Sequence, residues 1–245
     1  MPKIKTVRGV ENRKVVSPPA WLAARKKLLL KEKKFSKLRD ELNLQRRKLP
    51  WVKIEKEYVF DGLEGRVALA DLFEGKTQLI IYHFMFGPGW GEGCAHCSFW
   101  ADHFDSVNFH IGKRDTAFAV VSRAPWKEIH PFKKRMGWKF QWVSSFDTDF
   151  NFDFNVSFTP EQIKRGVLPY NYGKFKMKID EMQGVSAFYR DDNGEIYHTY
   201  SSYSRGIDLM NTTYNLLDLT AKGRDENPEA TQDWVRYHDE SKGAS

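Results

Sequence analysis

The sequence predicts an α/β fold, in which a mixed β-sheet forms the middle of a three-layer α/β/α sandwich. Two continuous apolar segments, 77–86 and 116–124, read as buried strands, and each precedes a helical pattern, over 94–109 and 125–137. A strand pattern over 139–145 follows, and a hairpin over 184–203 turns at the residues DDNG. An amphipathic helical pattern over 207–220 is the last predicted element of the domain. Strands alternating with helices, followed by an antiparallel hairpin and a last helix, indicate a mixed sheet covered by helices.

The N-terminal part of the chain predicts a mobile arm over 1–16 and a basic helix over 17–49. Ser17 is the expected N-cap, Pro18 and Pro19 suit the first turn, and Pro50 ends the helix. Apolar residues recur at spacings of three, four and seven, which places them on one stripe. They are Trp21, Leu28, Phe35, Leu38, Leu42 and Leu49. We expect this stripe to dock on the main domain or on a partner chain. A second copy of this chain, in a homo-oligomer, is one such partner.

The main domain is predicted over 50–223 and a C-terminal tail over 224–245. Residues 51–60 show the period of two that is typical of a strand, and residues 66–73 read as a short helix or turn. Residues 146–183 fit neither pattern. They are therefore interpreted as an insertion before the C-terminal hairpin.

Charge and composition restrict the class of protein. Residues 1–50 carry a net charge of +12 and the remainder −5, so the overall +7 belongs to the N-terminal segment. We interpret the basic residues of this segment as the solvated face of a helix, and we do not expect a nucleic-acid partner. No segment approaches the roughly 18 consecutive apolar residues of a membrane span, so no membrane partner is expected. Two cysteines in 245 residues are too few for a secreted disulfide scaffold, which favours a cytoplasmic protein.

The two cysteines, Cys94 and Cys97, form a C-x-x-C motif between a buried strand and a helix. A thiol in the first helical turn lies near unpaired backbone N–H groups and the positive end of the helix dipole, which lower its pKa. The spacing of three brings the second sulfur one turn along, close enough for a disulfide. We therefore expect Cys94 to be the exposed nucleophile and Cys97 the resolving thiol.

Neighbouring residues complete the predicted site. His96 could add positive charge, and His96, Glu92 or Asp102 could relay a proton. Trp90 and Phe99 are candidates for the substrate rim, with core packing as the alternative. The glycines of 87–93 suit close approach of a substrate, because the segment lacks the Lys-Ser/Thr of a phosphate-binding loop.

A metal site is the alternative use of the two cysteines, and it needs two further ligands. His83, His103 and His110 are nearby in sequence, although His83 lies in a buried strand pattern typical of a hydrogen-bonded core histidine. We therefore expect neither a metal nor another cofactor.

Several segments resemble one uncharacterised thioredoxin-like family, catalogued as a domain of unknown function. The most specific are QLIIYHFMFGPGW at 78–90, GCAHCSFWAD at 93–102, WVSSFDTDFNFDF at 142–154, HTYSSYSRG at 198–206 and WVRYHD at 234–239. The resemblance covers nearly the whole chain and implies a thioredoxin-like fold. It also implies that Cys94 and Cys97 match the cysteine pair of that family.

The chain departs from ordinary thioredoxins at two places. Trp90 stands four residues before Cys94, where thioredoxins have a tryptophan directly before the cysteine. The segment 183–188 is similar to the one that carries their cis-proline, and Ser186 stands at that place, which would put Ser186 at the substrate rim. The strand-helix-strand order also resembles peroxiredoxins, but Glu92 replaces their threonine two residues before the cysteine.

The resulting hypothesis is a thiol-disulfide oxidoreductase that acts on a protein or small-molecule disulfide with an unknown electron donor. The alternatives are a peroxiredoxin-like peroxide reductase and a non-catalytic, partner-binding protein that keeps the fold.

Overall fold

A computed structural model describes residue 10 and residues 13–240, and the chain divides into two compact units. One unit contains the chain up to Pro50 together with Asn215–Asp225. The other contains Trp51–Tyr214 together with the chain from Glu226 onward. Most of the predicted arm, 1–16, lies outside the described residues.

The predicted long N-terminal helix is present as α1, Pro18–Arg46, preceded by Ser17 and with prolines at its start. Basic residues surround its apolar stripe, and none of the residues described in α1 is buried. Trp21 is 58% exposed and Phe35 is 65% exposed. Docking of the stripe stays a prediction.

The described residues also contain ten strands and six further α-helices. The strands are β1 (Val52–Lys53), β2 (Val59–Gly62), β3 (Gly65–Ala68), β4 (Gln78–His83), β5 (Thr116–Ser122), β6 (Gln141–Ser144), β7 (Leu168–Tyr170), β8 (Gly173–Phe175), β9 (Gly184–Arg190) and β10 (Ile196–Tyr203). The helices are α2 (Ala95–Ala101), α3 (Phe104–Gly112), α4 (Trp126–Met136), α5 (Phe150–Asp153), α6 (Pro160–Arg165) and α7 (Thr212–Leu217). Two 3-10 helices lie at Asp71–Phe73 and Ser204–Met210.

Eight strands form one mixed sheet in the order β1-β10-β9-β4-β5-β6-β2-β3. Strands β4, β5 and β6 are parallel, whereas β9 is antiparallel to both β4 and β10. Three parallel strands joined through helices, with an antiparallel hairpin added beside the first of them, constitute the thioredoxin-like core. The prediction of a thioredoxin-like mixed sheet is therefore confirmed.

The alternation of β4 divides its side chains between two layers. Tyr82 packs against Phe104 of α3, and Phe84, just after the strand, contacts Phe132 of α4. Ile81 belongs to the core on the opposite face, which includes Phe150 of α5. The predicted insertion, 146–183, contains α5, α6, β7 and β8 and covers this second face.

Several predicted boundaries were wrong. The strand expected over 51–60 is two strands, because β1 pairs with β10 at one edge whereas β2 pairs with β3 and β6 at the other. The helix expected over 94–109 breaks at Asp102–His103 into α2 and α3. The region 66–73 contains β3 and a 3-10 helix, and the closing helix is reduced to a 3-10 helix and the six residues of α7.

Across the part of the chain that the structure describes, no helix combines the length and apolarity needed to cross a membrane.

Candidate active site

The loop between β4 and α2 places the two cysteines at the end of the central strand. Cys94 is the residue before α2, and its backbone N–H donates to the carbonyl of Met85 (3.0 Å). Gly93 fits between two aromatic rings, since a Cβ there would lie 2.6 Å from Phe84 Cε1 and 2.7 Å from Phe132 Cε1. Close packing of this glycine fixes the chain immediately before Cys94.

The two sulfurs occupy different environments. Both cysteines are free thiols; Cys94 is partly exposed, whereas Cys97 is buried. The hydrogen bond from the Cys97 thiol, helped by backbone N–H groups of Cys97 and His96 and by the charge of His96, lowers the pKa of Cys94 to about 6. Burial raises the pKa of Cys97 well above its ordinary value. The arrangement therefore supports one thiolate and one protonated thiol at neutral pH.

Of the three residues expected to support the cysteines, Glu92 and Asp102 form polar contacts with other side chains. His96 is exposed in the first turn of α2. Glu92 is exposed and forms an ion pair with Arg135. Asp102, at the other end of α2, accepts hydrogen bonds from Trp138 Nε1 (2.8 Å) and lies 2.7 Å from His238 Nδ1. Only His96 among the three contributes directly to the lowered pKa of Cys94.

Trp90 and Phe99, the two candidate rim residues, have opposite environments. Trp90 is 36% exposed and its Nε1 donates to Asp180 (3.2 Å), so its ring lies at the surface of the glycine loop. Phe99 is 9% exposed and packs edge-on against Tyr214 and Trp234. Phe99 therefore belongs to the core in this structure.

Ser186 lies in the middle of β9, not at the rim. It is fully buried, and its hydroxyl is 2.8 Å from His83 Nε2 and 2.7 Å from Ser201 Oγ. The expected rim position is wrong because residue 186 is already inside the sheet, where its register partner is Ile81. The residue that reaches the cysteines from this segment is Gln183, whose side-chain oxygen accepts a hydrogen bond from Cys97 Sγ (3.5 Å).

Two further contacts, made by residues far from Cys94 along the chain, hold segments that adjoin the site. The Tyr237 hydroxyl donates to the carbonyl of Gly93 (2.5 Å). Arg123, at the end of β5, forms an ion pair with the buried Glu181, two residues before Gln183. Their separation from Cys94 along the chain leaves no local signal, although Tyr237 falls within the segment 234–239 noted for its resemblance.

The histidines near the cysteines in sequence do not form a metal site with them in the part of the chain that the structure describes. His83 stacks on Phe150 and Phe154 within the core. Over residue 10 and residues 13–240, no group of three His, Cys, Asp or Glu side chains is placed to hold a metal ion. A cleft of about 600 Å³ is lined by residues 53–59, 68–70 and 193–196 and therefore contains neither cysteine.

Solved structures of similar fold include peroxidoxin BcpB from Mycobacterium tuberculosis, with 12% identity over 66% of this chain and 94% of that one, and a TM-score of 0.44. Peroxiredoxin Q from Xanthomonas campestris has 15% identity over 67% and 91%, with a TM-score of 0.44. A thiol:disulfide interchange protein from Bacteroides sp. has 14% identity over 68% and 90%, with a TM-score of 0.39. The fold assignment rests on the strand order described above.

No curated protein sequence matches the chain. A family model described as "Bacterial protein of unknown function (DUF899)" matches residues 10–241. This match extends over both structural units, and the chain therefore belongs to the DUF899 family.

Proposed function

We propose that this protein is a thiol-disulfide oxidoreductase, with Cys94 as the nucleophile and Cys97 as the resolving thiol. The observation that carries the proposal is the opposite behaviour of two neighbouring sulfurs. The pKa of Cys94 is lowered to about 6 by the hydrogen bond from Cys97, while burial raises the pKa of Cys97. A dithiol enzyme needs this combination, because one sulfur must attack while the other keeps its proton until the second step.

The proposed reaction transfers two electrons from the dithiol to a substrate disulfide. The Cys94 thiolate attacks one sulfur of the substrate, forms a mixed disulfide and releases the first substrate thiolate. Cys97 then attacks the Cys94 sulfur, which forms the Cys94–Cys97 disulfide and releases the second thiolate. The proton of Cys97 passes to a leaving thiolate, and an electron donor, a second dithiol, returns the enzyme to its reduced form.

His96 and Trp90 keep the roles expected for them within this proposal. His96 is exposed beside Cys94 and its charge favours the thiolate, so it is the proposed proton-transfer group at the leaving sulfur. The exposed ring of Trp90 is the proposed contact for the substrate. We place the reaction in the cytoplasm on the basis of the low cysteine content.

Anaerobic reaction of the reduced protein with glutathione disulfide tests the proposal. After alkylation of free thiols, intact mass spectrometry of the native protein is expected to show an internal disulfide, which carries neither an alkyl group nor glutathione. Two glutathione molecules should be released for each protein molecule oxidised. The Cys97→Ser variant should stop at a glutathione adduct on Cys94, and the Cys94→Ser variant should remain unmodified.

Retention of reactivity in Cys94→Ser would overturn the assignment of the nucleophile. Parallel samples with hydrogen peroxide address the peroxide-reductase alternative. Rapid oxidation by peroxide, together with inert behaviour toward glutathione disulfide and other disulfides, would replace the proposal by that alternative. If neither disulfides nor hydrogen peroxide oxidise the cysteine pair, the result would favour a non-catalytic protein.

A further inference from the structure

Gln183 is held at a fixed place opposite α2. It lies directly before β9, whose first residue, Gly184, pairs with His83 at the end of β4. The main-chain carbonyl of Gln183 accepts a hydrogen bond from the Tyr170 hydroxyl (2.6 Å), and the Ser204 backbone N–H donates to that hydroxyl (2.9 Å). The backbone of Gln183 is therefore anchored at the end of the sheet where the cysteine loop begins.

The side chain of Gln183 joins two fully buried groups. Its Oε1 accepts hydrogen bonds from the Tyr82 hydroxyl (3.0 Å) and from the Cys97 sulfur (3.5 Å). Tyr82 and Cys97 are both 0% exposed. The Tyr82 contact orients the carboxamide, so that the same oxygen is presented to the Cys97 thiol.

The groups that face the Cys97 sulfur are neutral hydrogen-bonding groups, apart from the Cys94 thiolate. Burial raises the pKa of Tyr82 and of Tyr170, so both phenols keep their protons, and the backbone N–H of Met85 points at the sulfur. A carboxamide does not titrate, and it offers an acceptor oxygen and donor N–H groups on one planar group. It can therefore serve a thiol as acceptor and a thiolate as donor.

We infer that Gln183 is a positioning residue for the resolving step, whose carboxamide hydrogen-bonds the Cys97 sulfur before and after its proton leaves. This inference rests on the proposed function of the cysteine pair. The single S–H of Cys97 is directed at the Cys94 thiolate in the reduced protein, and it turns to the oxygen of Gln183 once Cys94 has formed the mixed disulfide. When Cys97 attacks the mixed disulfide and its proton passes to the leaving thiolate, rotation of the amide lets an N–H stabilise the sulfur.

Stopped-flow reaction of the reduced protein with the chromogenic disulfide dithiobis-nitrobenzoate separates the two steps. Attack by Cys94 releases the first coloured thiolate at a rate that depends on reagent concentration. Attack by Cys97 releases the second at a rate that does not. Gln183→Met keeps the approximate volume and removes the amide, and Gln78→Met is the matched control at the exposed start of β4.

The Gln183→Met variant is expected to slow the second release about tenfold and to change the first less than threefold, as for the loss of one hydrogen bond to a charged group. Its second phase should also shift to higher pH by about one unit, because the Cys97 thiolate loses a donor. Gln78→Met should leave both phases unchanged. Tyr82→Phe removes the hydroxyl that orients the amide together with that hydroxyl's own contact with Cys97, and it should also slow the second phase.

Unchanged rates and pH profile of the second phase in Gln183→Met would overturn the inference, whatever the effect of Tyr82→Phe. If Gln183→Met does not fold, Gln183→Leu, which also removes the amide, decides the outcome. Failure of the proposed function is a separate result, because the native protein itself would then release no second thiolate. A Cys97→Ser variant verifies that the second phase belongs to Cys97.

Discussion

Removal of the Cys97 thiol should raise the pKa of Cys94. The hydrogen bond from Cys97 is the largest cause of the lowering from 9.0 to about 6, which is equivalent to about 4 kcal/mol of preference for the thiolate. At pH 7, a thiol of pKa about 6 is about 90% ionised, whereas one of pKa 9.0 is about 1% ionised. In Cys97→Ala, burial opposes the remaining N–H groups and the His96 charge, and we expect the pKa of Cys94 to be about 8 or higher.

The assay is the absorbance of the thiolate at about 240 nm in the reduced protein between pH 4.5 and pH 10, with Cys94→Ser as the blank. Alkylation rates by iodoacetamide over the same range give an independent midpoint. The native protein should show an inflection near pH 6, and Cys97→Ala should show it at about pH 8 or higher, about two pH units above the native value. An equal midpoint in the two proteins, or no inflection below pH 7.5 in the native one, would refute the reasoning.

Three further predictions concern the packing around the site. Gly93→Ala should lower the free energy of unfolding by about 1–3 kcal/mol in urea titrations, because its Cβ would lie 2.6 Å from Phe84 Cε1. Tyr237→Phe should cost about 0.5–1.5 kcal/mol in the same assay, through loss of the hydrogen bond to the Gly93 carbonyl. Arg123→Met should cost about 3–5 kcal/mol at pH 8, since it leaves the buried Glu181 carboxylate unpaired. That loss should shrink at pH 5.5, because burial already raises the pKa of Glu181 to about 7 and protonation removes the unpaired charge.

Each of these three predictions has its own contradictory result. A urea midpoint of Gly93→Ala equal to that of the native protein would show that the aromatic pocket at Gly93 can open at little cost in free energy. Greater stability of Tyr237→Phe would contradict a favourable bond to the Gly93 carbonyl. An equal loss at pH 8 and pH 5.5 would mean that ionisation of Glu181 does not determine the effect of Arg123→Met.

The sequence was most informative where structure is determined locally. The apolar segment 77–86 predicted the central strand, and the cysteine spacing predicted where α2 begins, because burial on both faces and helix initiation both leave short-range patterns. The hairpin of β9 and β10 was likewise evident from its turn residues.

Non-local pairing explains the errors. The segment 51–60 has one continuous alternating pattern, yet it supplies β1 and β2 to opposite edges of the sheet, and only tertiary contacts decide that division. Ser186 was expected near the substrate through a resemblance that does not fix the register. The strand begins at Gly184, so Gln183, not Ser186, reaches Cys97.

Redox titration of the Cys94–Cys97 pair tests the central claim most directly. The full-length protein is equilibrated in thiol/disulfide buffers, trapped by alkylation and analysed by mass spectrometry. We predict a single two-electron transition between a dithiol and an internal disulfide, with a midpoint between about −120 and −300 mV. Two thiols that remain reduced across that range, or that form only separate mixed disulfides, would contradict it.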